Sequence, residues 1–171
     1  IAPSGTEKIS QTRFENQANM LNEAFSGRLA SRSGSKSPDS AITFCLQKDG
    51  LQGLNFEGTI RIKDLSILDE MLKHQSLPLD EILVILIDLE SNEAGYASHE
   101  YGSVVHNAIY INTKFFAGNN TRYYNEGRTL VHMMGRFLGL QPLWGMSLCA
   151  DDGLADTPIH NAPNYRCYDS G

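Results

Sequence analysis

The sequence predicts an α/β (α+β) domain, and three stretches carry that expectation. Residues 10–29 place Phe14, Ala18, Leu21 and Phe25 at three- and four-residue steps, the spacing of one helix face. Residues 82–89, ILVILIDL, form an apolar run of strand length, and continuity without alternation marks a strand buried on both faces. Residues 125–140 return to helical spacing, with Leu130, Met134, Phe137 and Leu138 on one side.

The remaining elements follow from local signals. Gly27 supplies a stop for the first helix, and SRSGSKSPDS (31–40) is a polar loop punctuated by Gly and Pro. Residues 41–47, AITFCLQ, read as a strand, with Cys45 expected as a small buried hydrophobe. Ile60 and Ile62 share one face of a further short strand over 58–65. A short helix is expected over 66–74, with a break at Pro78, and GSVVHNAIYIN (102–112) reads as an extended rim segment or strand. Gly139 ends the last helix, and the tail is loop, because DDGLADTPIHNAP suits no regular element. There is no internal repeat, and a single domain over 1–171 is expected.

Composition narrows the function. A chain of 171 residues with 41% hydrophobic and 20% charged residues can bury a sizeable core. The net charge of −6, with no basic run, argues against a nucleic-acid partner. No apolar stretch approaches the roughly 18 residues of a membrane helix. The three cysteines allow one disulfide and one thiol. Cys149 and Cys167 are the expected pair, since they flank a loop with little core to hold it. Asn119 opens an N-x-T sequon, which fits an exposed loop of a secreted protein.

The tail of the chain carries a family resemblance. GRTLVHMMGRFLGL (127–140), followed by Cys149, DDGLADTP (151–158) and Cys167, resembles the pappalysin family of metzincin zinc proteases. QANMLNEAF, DSAITFCLQ with GTIRI, ILVILIDLESNEAGYAS and GSVVHNAIYINTKFF resemble that family's first helix and sheet segments, and the likeness spans about residues 10–169. It implies a twisted mixed sheet with a backing helix and an active-site helix, a secreted protein, and a zinc site on the helix at 125–140.

Three departures from the family pattern shape the functional expectation. Family members hold zinc with three histidines and take a proton from the metal-bound water with a glutamate beside the first. Here His132 keeps its place, but Met133 stands for the glutamate, Arg136 for the second histidine and Pro142 for the third. A thioether accepts no proton at neutral pH, a guanidinium offers no lone pair, and proline has no side-chain donor atom. The family's Met-bearing turn is not found before Gly171, which implies a shortened C-terminal subdomain. Nor is IAPSGTEKIS the apolar strand that precedes the family's first helix. That vacancy would be filled by a second chain, a processed fragment or a second copy.

The expectation is therefore a catalytically inactive, secreted pseudoprotease that acts by binding, as an effector, toxin-like protein or decoy, with fungal proteins as its nearest likeness. Its cleft would hold a protein or peptide along a sheet edge, with Val104, Val105, His106, Arg136 and Trp144 lining it. Zinc is not expected, while calcium has candidate ligands in Asp151, Asp152 and Asp156. Two readings stay open beside it. One is an active metal-dependent peptidase with a rebuilt site, drawing on His99, His106, His132 and the Asp151–Asp156 loop. The other is a structural subunit completed by another chain or as a homo-oligomer.

Overall fold

The computed structural model describes residues 10–29, 37–47, 72, 81–89, 92–98, 107–118, 126–143, 151–155, 157 and 159. Their elements run α1 (Gln11–Phe25), β1 (Leu83–Ile87), β2 (Gly95–Ala97), β3 (Ala108–Asn112), a 3₁₀ turn (Thr113–Phe115) and α2 (Arg128–Phe137). The chain divides into two compact units, Ile1–Met134 and Gly135–Gly171. The expected elements over 58–65 and 66–74 lie outside the described residues, apart from Leu72, which is buried.

Helix α1 forms where the apolar period placed it and ends where glycine is required. Gly27 has φ +69°, and a Cβ there would meet the Ser37 carbonyl oxygen at 2.1 Å. The amide groups of Arg28 and Leu29 both donate to the Glu23 carbonyl, which closes the last turn. One flank of the helix carries Phe14, whose ring lies 5.3 Å from that of Phe116. Phe25 meets Phe44 edge-on at 4.9 Å.

The sheet has the order β1-β3-β2, with β1 parallel and β2 antiparallel to β3. Leu83 to Ile87 register against Ala108 to Asn112, and Tyr96 faces Tyr110. All five residues of β3 are buried. The strand expected within 102–112 is present at 108–112, but as an interior strand paired on both sides and not at a rim. Residues 102–106 lie outside the described set. A buried interior strand carries apolar side chains on both faces, so AIYI follows the same continuous pattern as β1.

A polar cluster closes one end of the sheet. The buried Asn112 amide donates to the Glu93 carbonyl at 3.1 Å, and its Oδ1 accepts from the Lys114 amide. Lys114 Nζ donates to the Leu89 carbonyl at 2.9 Å. Burying Asn112 costs little because these partners replace its water.

Residues 41–47 join no ladder among the described residues, and Ala41 at their start has φ +58°. Instead the Asn22 side chain brackets Phe44. Its Nδ2 donates to the Phe44 carbonyl at 2.9 Å, and its Oδ1 accepts from the Phe44 amide at 2.7 Å. Cys45 is exposed, contrary to the buried position expected from its apolar neighbours. Without a ladder, alternate residues of the segment are not held against a core.

Two glycines separate steric from conformational demands. A Cβ at Gly95 would lie 2.3 Å from the Tyr110 carbonyl oxygen, so β2 can approach β3 only without one. A Cβ at Gly139, at φ +99°, meets nothing within 4 Å. Gly95→Ala should lower unfolding free energy by about 2–3 kcal/mol, and Gly139→Ala by only about 1 kcal/mol. Urea denaturation of both variants measures the difference; equal losses would contradict the close β2–β3 approach.

Candidate functional site

Helix α2 carries the residues that the sequence singled out. Gly127, with φ +75°, precedes it, and a Cβ there would lie 2.7 Å from Gln17 Nε2. The same Gln17 Nε2 donates to the Gly127 carbonyl at 2.9 Å, which fixes the entry of α2 against α1. Thr129, Leu130 and Met134 are buried, so one side of the helix faces inward. His132 is exposed and Met133 half-buried, on turns that point away from that core. The apolar period read from the sequence thus places Leu130 and Met134 correctly, while Leu138 is 46% exposed beyond the helix end.

Arg136 lies one helical turn after His132 and is half-buried. Its Nη1 donates to the Leu140 carbonyl at 3.0 Å. The amide groups of Gly139 and Leu140 donate to the Arg136 and Gly135 carbonyls. A cation in the last turn also complements the negative end of the helix dipole. The position expected to supply a second metal ligand therefore carries a helix-capping arginine. Pro142 is half-buried in the segment that follows.

The acidic loop is built from turns. Asp151 Oδ1 accepts from the Gly153 amide and Asp152 Oδ1 from the Leu154 amide, both at 3.0 Å. Asp151 is exposed, whereas Asp152 is buried and its Oδ2 has no hydrogen-bond partner. Among the described residues, no group of three or more His, Cys, Asp or Glu is placed to hold a metal ion. Val104, Val105, His106, Trp144, Cys149, Asp156, Cys167, His99 and Asn119 lie outside the described residues, and with them the expected cleft, disulfide and sequon.

A three-histidine zinc site does not fit α2 as it stands. The helix offers one imidazole, a thioether and a guanidinium whose N–H group is spent on its own C-terminus. One polar residue escaped the sequence reading. Gln17 sits among the apolar positions of α1, 2% exposed, and its Oε1 is buried without a partner. A glutamine on an apolar helix face was the available signal.

No family model matches the chain. An extracellular metalloprotease of Arthroderma gypseum is 30% identical over 70 residues, which make up 39% of this chain and 24% of that protein. The alignment thus spans about a quarter of that curated relative. In three dimensions the chain is similar to mature mirolysin of Tannerella forsythia, solved in complex with a cleaved peptide. That match has a TM-score of 0.59 and 17% identity, and it covers 96% of this chain and 72% of mirolysin. The fold is accordingly metzincin-like, the α/β class that the sequence predicts.

These findings correct two expectations. The expectation of a non-enzyme is overturned, because the sequence relative is a metalloprotease. The expectation that zinc plays no part falls on the same ground, since a metalloprotease depends on its metal. His132 and Arg136 give these corrections a direct structural test. Arg136→His places a second imidazole one turn from the first, and zinc affinity should rise at least about tenfold. Isothermal titration with zinc measures it; an unchanged affinity would mean that His132 does not face a metal-accessible position.

Proposed function

We propose that the chain is part of a secreted, metal-dependent peptidase of the metzincin type, nearest in its motifs to the pappalysin group. The observation that supports this most is the likeness to mirolysin over 96% of the chain, together with an exposed histidine on the motif-bearing helix. The extracellular relative supports secretion. No helix among the described residues is long and apolar enough to cross a membrane.

The chemistry available to this peptidase is constrained by α2. His132 is its one candidate ligand on the helix, and as a neutral imidazole it has a lone pair to offer. Met133 accepts no proton, so the base that deprotonates water comes from another segment. Arg136 serves the helix end and leaves that turn positively charged, which favours a bound carboxylate over a second cation. The remaining ligands would come from segments other than this helix, with His99 and His106 as candidates in the sequence. The substrate class is a peptide or protein chain; the fungal relative and mirolysin both point that way.

The decisive experiment combines metal analysis with cleavage of an unstructured peptide library. About one zinc per chain and cleavage that a chelator abolishes and added zinc restores are the expected results. His132→Ala should then reduce cleavage at least about 100-fold, the scale of losing a ligand that organises the reacting water. Cleavage indifferent to chelator and to His132→Ala, or no cleavage by zinc-loaded protein, would overturn the proposal.

A further inference from the structure

Helix α1 buries two of its residues, the apolar Leu21 and the polar Gln17. The Gln17 carboxamide lies flat against Gly127, the residue that leads into α2. A Cβ at Gly127 would come within 2.7 Å of Gln17 Nε2, 3.0 Å of its Oε1 and 3.1 Å of its Cδ. The whole amide group therefore occupies the space that any side chain at 127 would need. Nε2 donates to the Gly127 carbonyl at 2.9 Å, joining two points that are 110 residues apart in the chain. The residue before a helix also gives its carbonyl to the first intrahelical bond. Gln17 thus grips α2 at the oxygen where that helix begins.

This bond supplies what packing does not. Leu130 and Met134 are buried and hold the inner side of α2 down. Apolar contact is non-directional, so it resists sliding and rotation of a helix only weakly. A hydrogen bond has a preferred length and angle, and one made to the first carbonyl fixes both register and rotation. His132 follows Gly127 by five residues, about 7 Å along the axis. A shift at the helix entry is carried over that distance undiminished.

Stability alone gives no reason for a glutamine here. Its Oε1 is buried without a partner, so it has lost water and gained nothing in return. Methionine has the same reach and no such acceptor. The Gly127 carbonyl would keep its intrahelical bond and would not be stranded by the change. A polar side chain that costs stability where an apolar one would fit is the mark of a position serving function.

We infer that Gln17 is a positioning residue of the proposed peptidase, on which its role rests: it sets the register of α2 and thereby the place of His132. Gln17 touches no substrate in this role and acts through the helix alone.

Gln17→Met in the 171-residue chain tests it by four readouts: Tm, amide hydrogen exchange, the imidazole NMR signals of His132, and kcat with KM on a peptide that the unmodified chain cleaves. Tm should stay unchanged or rise. The amides of Val131 and His132 should exchange at least about fivefold faster, and the His132 imidazole signals should shift. In cleavage, kcat should fall at least about tenfold while KM stays within about twofold, the sign of a misplaced group and not of lost substrate binding. Leu21→Ala is the control for simple destabilisation of α1: Tm should drop by roughly 5 °C or more with kcat within about twofold. A Gln17→Met chain with lowered Tm and unchanged kcat would overturn the inference, since Gln17 would then be structural only. An equal loss of kcat in Leu21→Ala would overturn it too, because any loosening of α1 would suffice. If the unmodified, zinc-loaded chain cleaves nothing, the peptidase reading fails by that result, and exchange and imidazole signals still decide the role of Gln17: both unchanged in Gln17→Met would overturn it, and both changed would uphold it.

Discussion

Three side chains of α1 hold together backbone that has no ladder of its own. Arg13 Nε donates to the Ala117 carbonyl, Gln17 Nε2 to the Gly127 carbonyl, and Asn22 brackets both polar groups of Phe44. They lie roughly a turn or more apart, so one helix ties the segment after the sheet, the entry of α2 and the stretch 41–47. Each partner is a loop carbonyl or amide that would otherwise need water or another strand. A net gain of about 1 kcal/mol per hydrogen bond is modest. Loss of a bond at a buried position costs more, because the stranded carbonyl keeps its desolvation penalty. Arg13 also lies 5.8 Å over the Phe116 ring, so polar and apolar anchoring coincide at one point.

The interior place of β3 governs what the sheet can do. Because Ala108–Asn112 pairs with β1 on one side and β2 on the other, it has no edge to offer a peptide. The close approach at Gly95 and the Asn112–Lys114–Leu89 cluster fix its ends, so the strand leaves no slack for rearrangement. Lys114 adds an ion pair to Asp88 at 3.9 Å, but both side chains are close to half exposed, so its value is small. Binding by strand addition is therefore pushed outward, to edges that the interior strand does not occupy.

Much of the frame was legible in the sequence because it rests on periodicity. Phe14, Leu21 and Phe25 marked α1, the run around Ile85–Ile87 marked β1, and Leu130 with Met134 marked the inner side of α2. Gly27 and Gly139 marked helix ends, and both have positive φ. What misled was context. AIYI has the same apolar continuity whether it lies at a rim or in the middle of a sheet, so pairing alone decides its place. Cys45 sits in an apolar run, yet its burial depends on a neighbour strand that residues 41–47 do not find among the described residues. Gln17 stood out only as a glutamine on an apolar helix face, and its role was hidden because its partner, the Gly127 carbonyl, lies far along the chain.

The helix α2 poses the sharpest constraint on chemistry. A metal centre needs lone pairs converging on one point, and hydrolysis needs a proton acceptor beside it. His132 supplies a single lone pair, while Arg136 uses the next turn to cap its own helix through Leu140. That arrangement stabilises the helix end by both hydrogen bond and dipole, and the same charge repels a second cation. Stability and metal binding thus compete for one position, and in this chain the helix end has it. Any peptidase chemistry must then gather its other ligands and its base from segments other than α2. The loop after the helix already spends Asp151 Oδ1 and Asp152 Oδ1 on its own turns, which leaves the buried Asp152 Oδ2 as its unengaged carboxylate oxygen among the described residues. A buried acceptor of that kind is costly to maintain without a donor or cation.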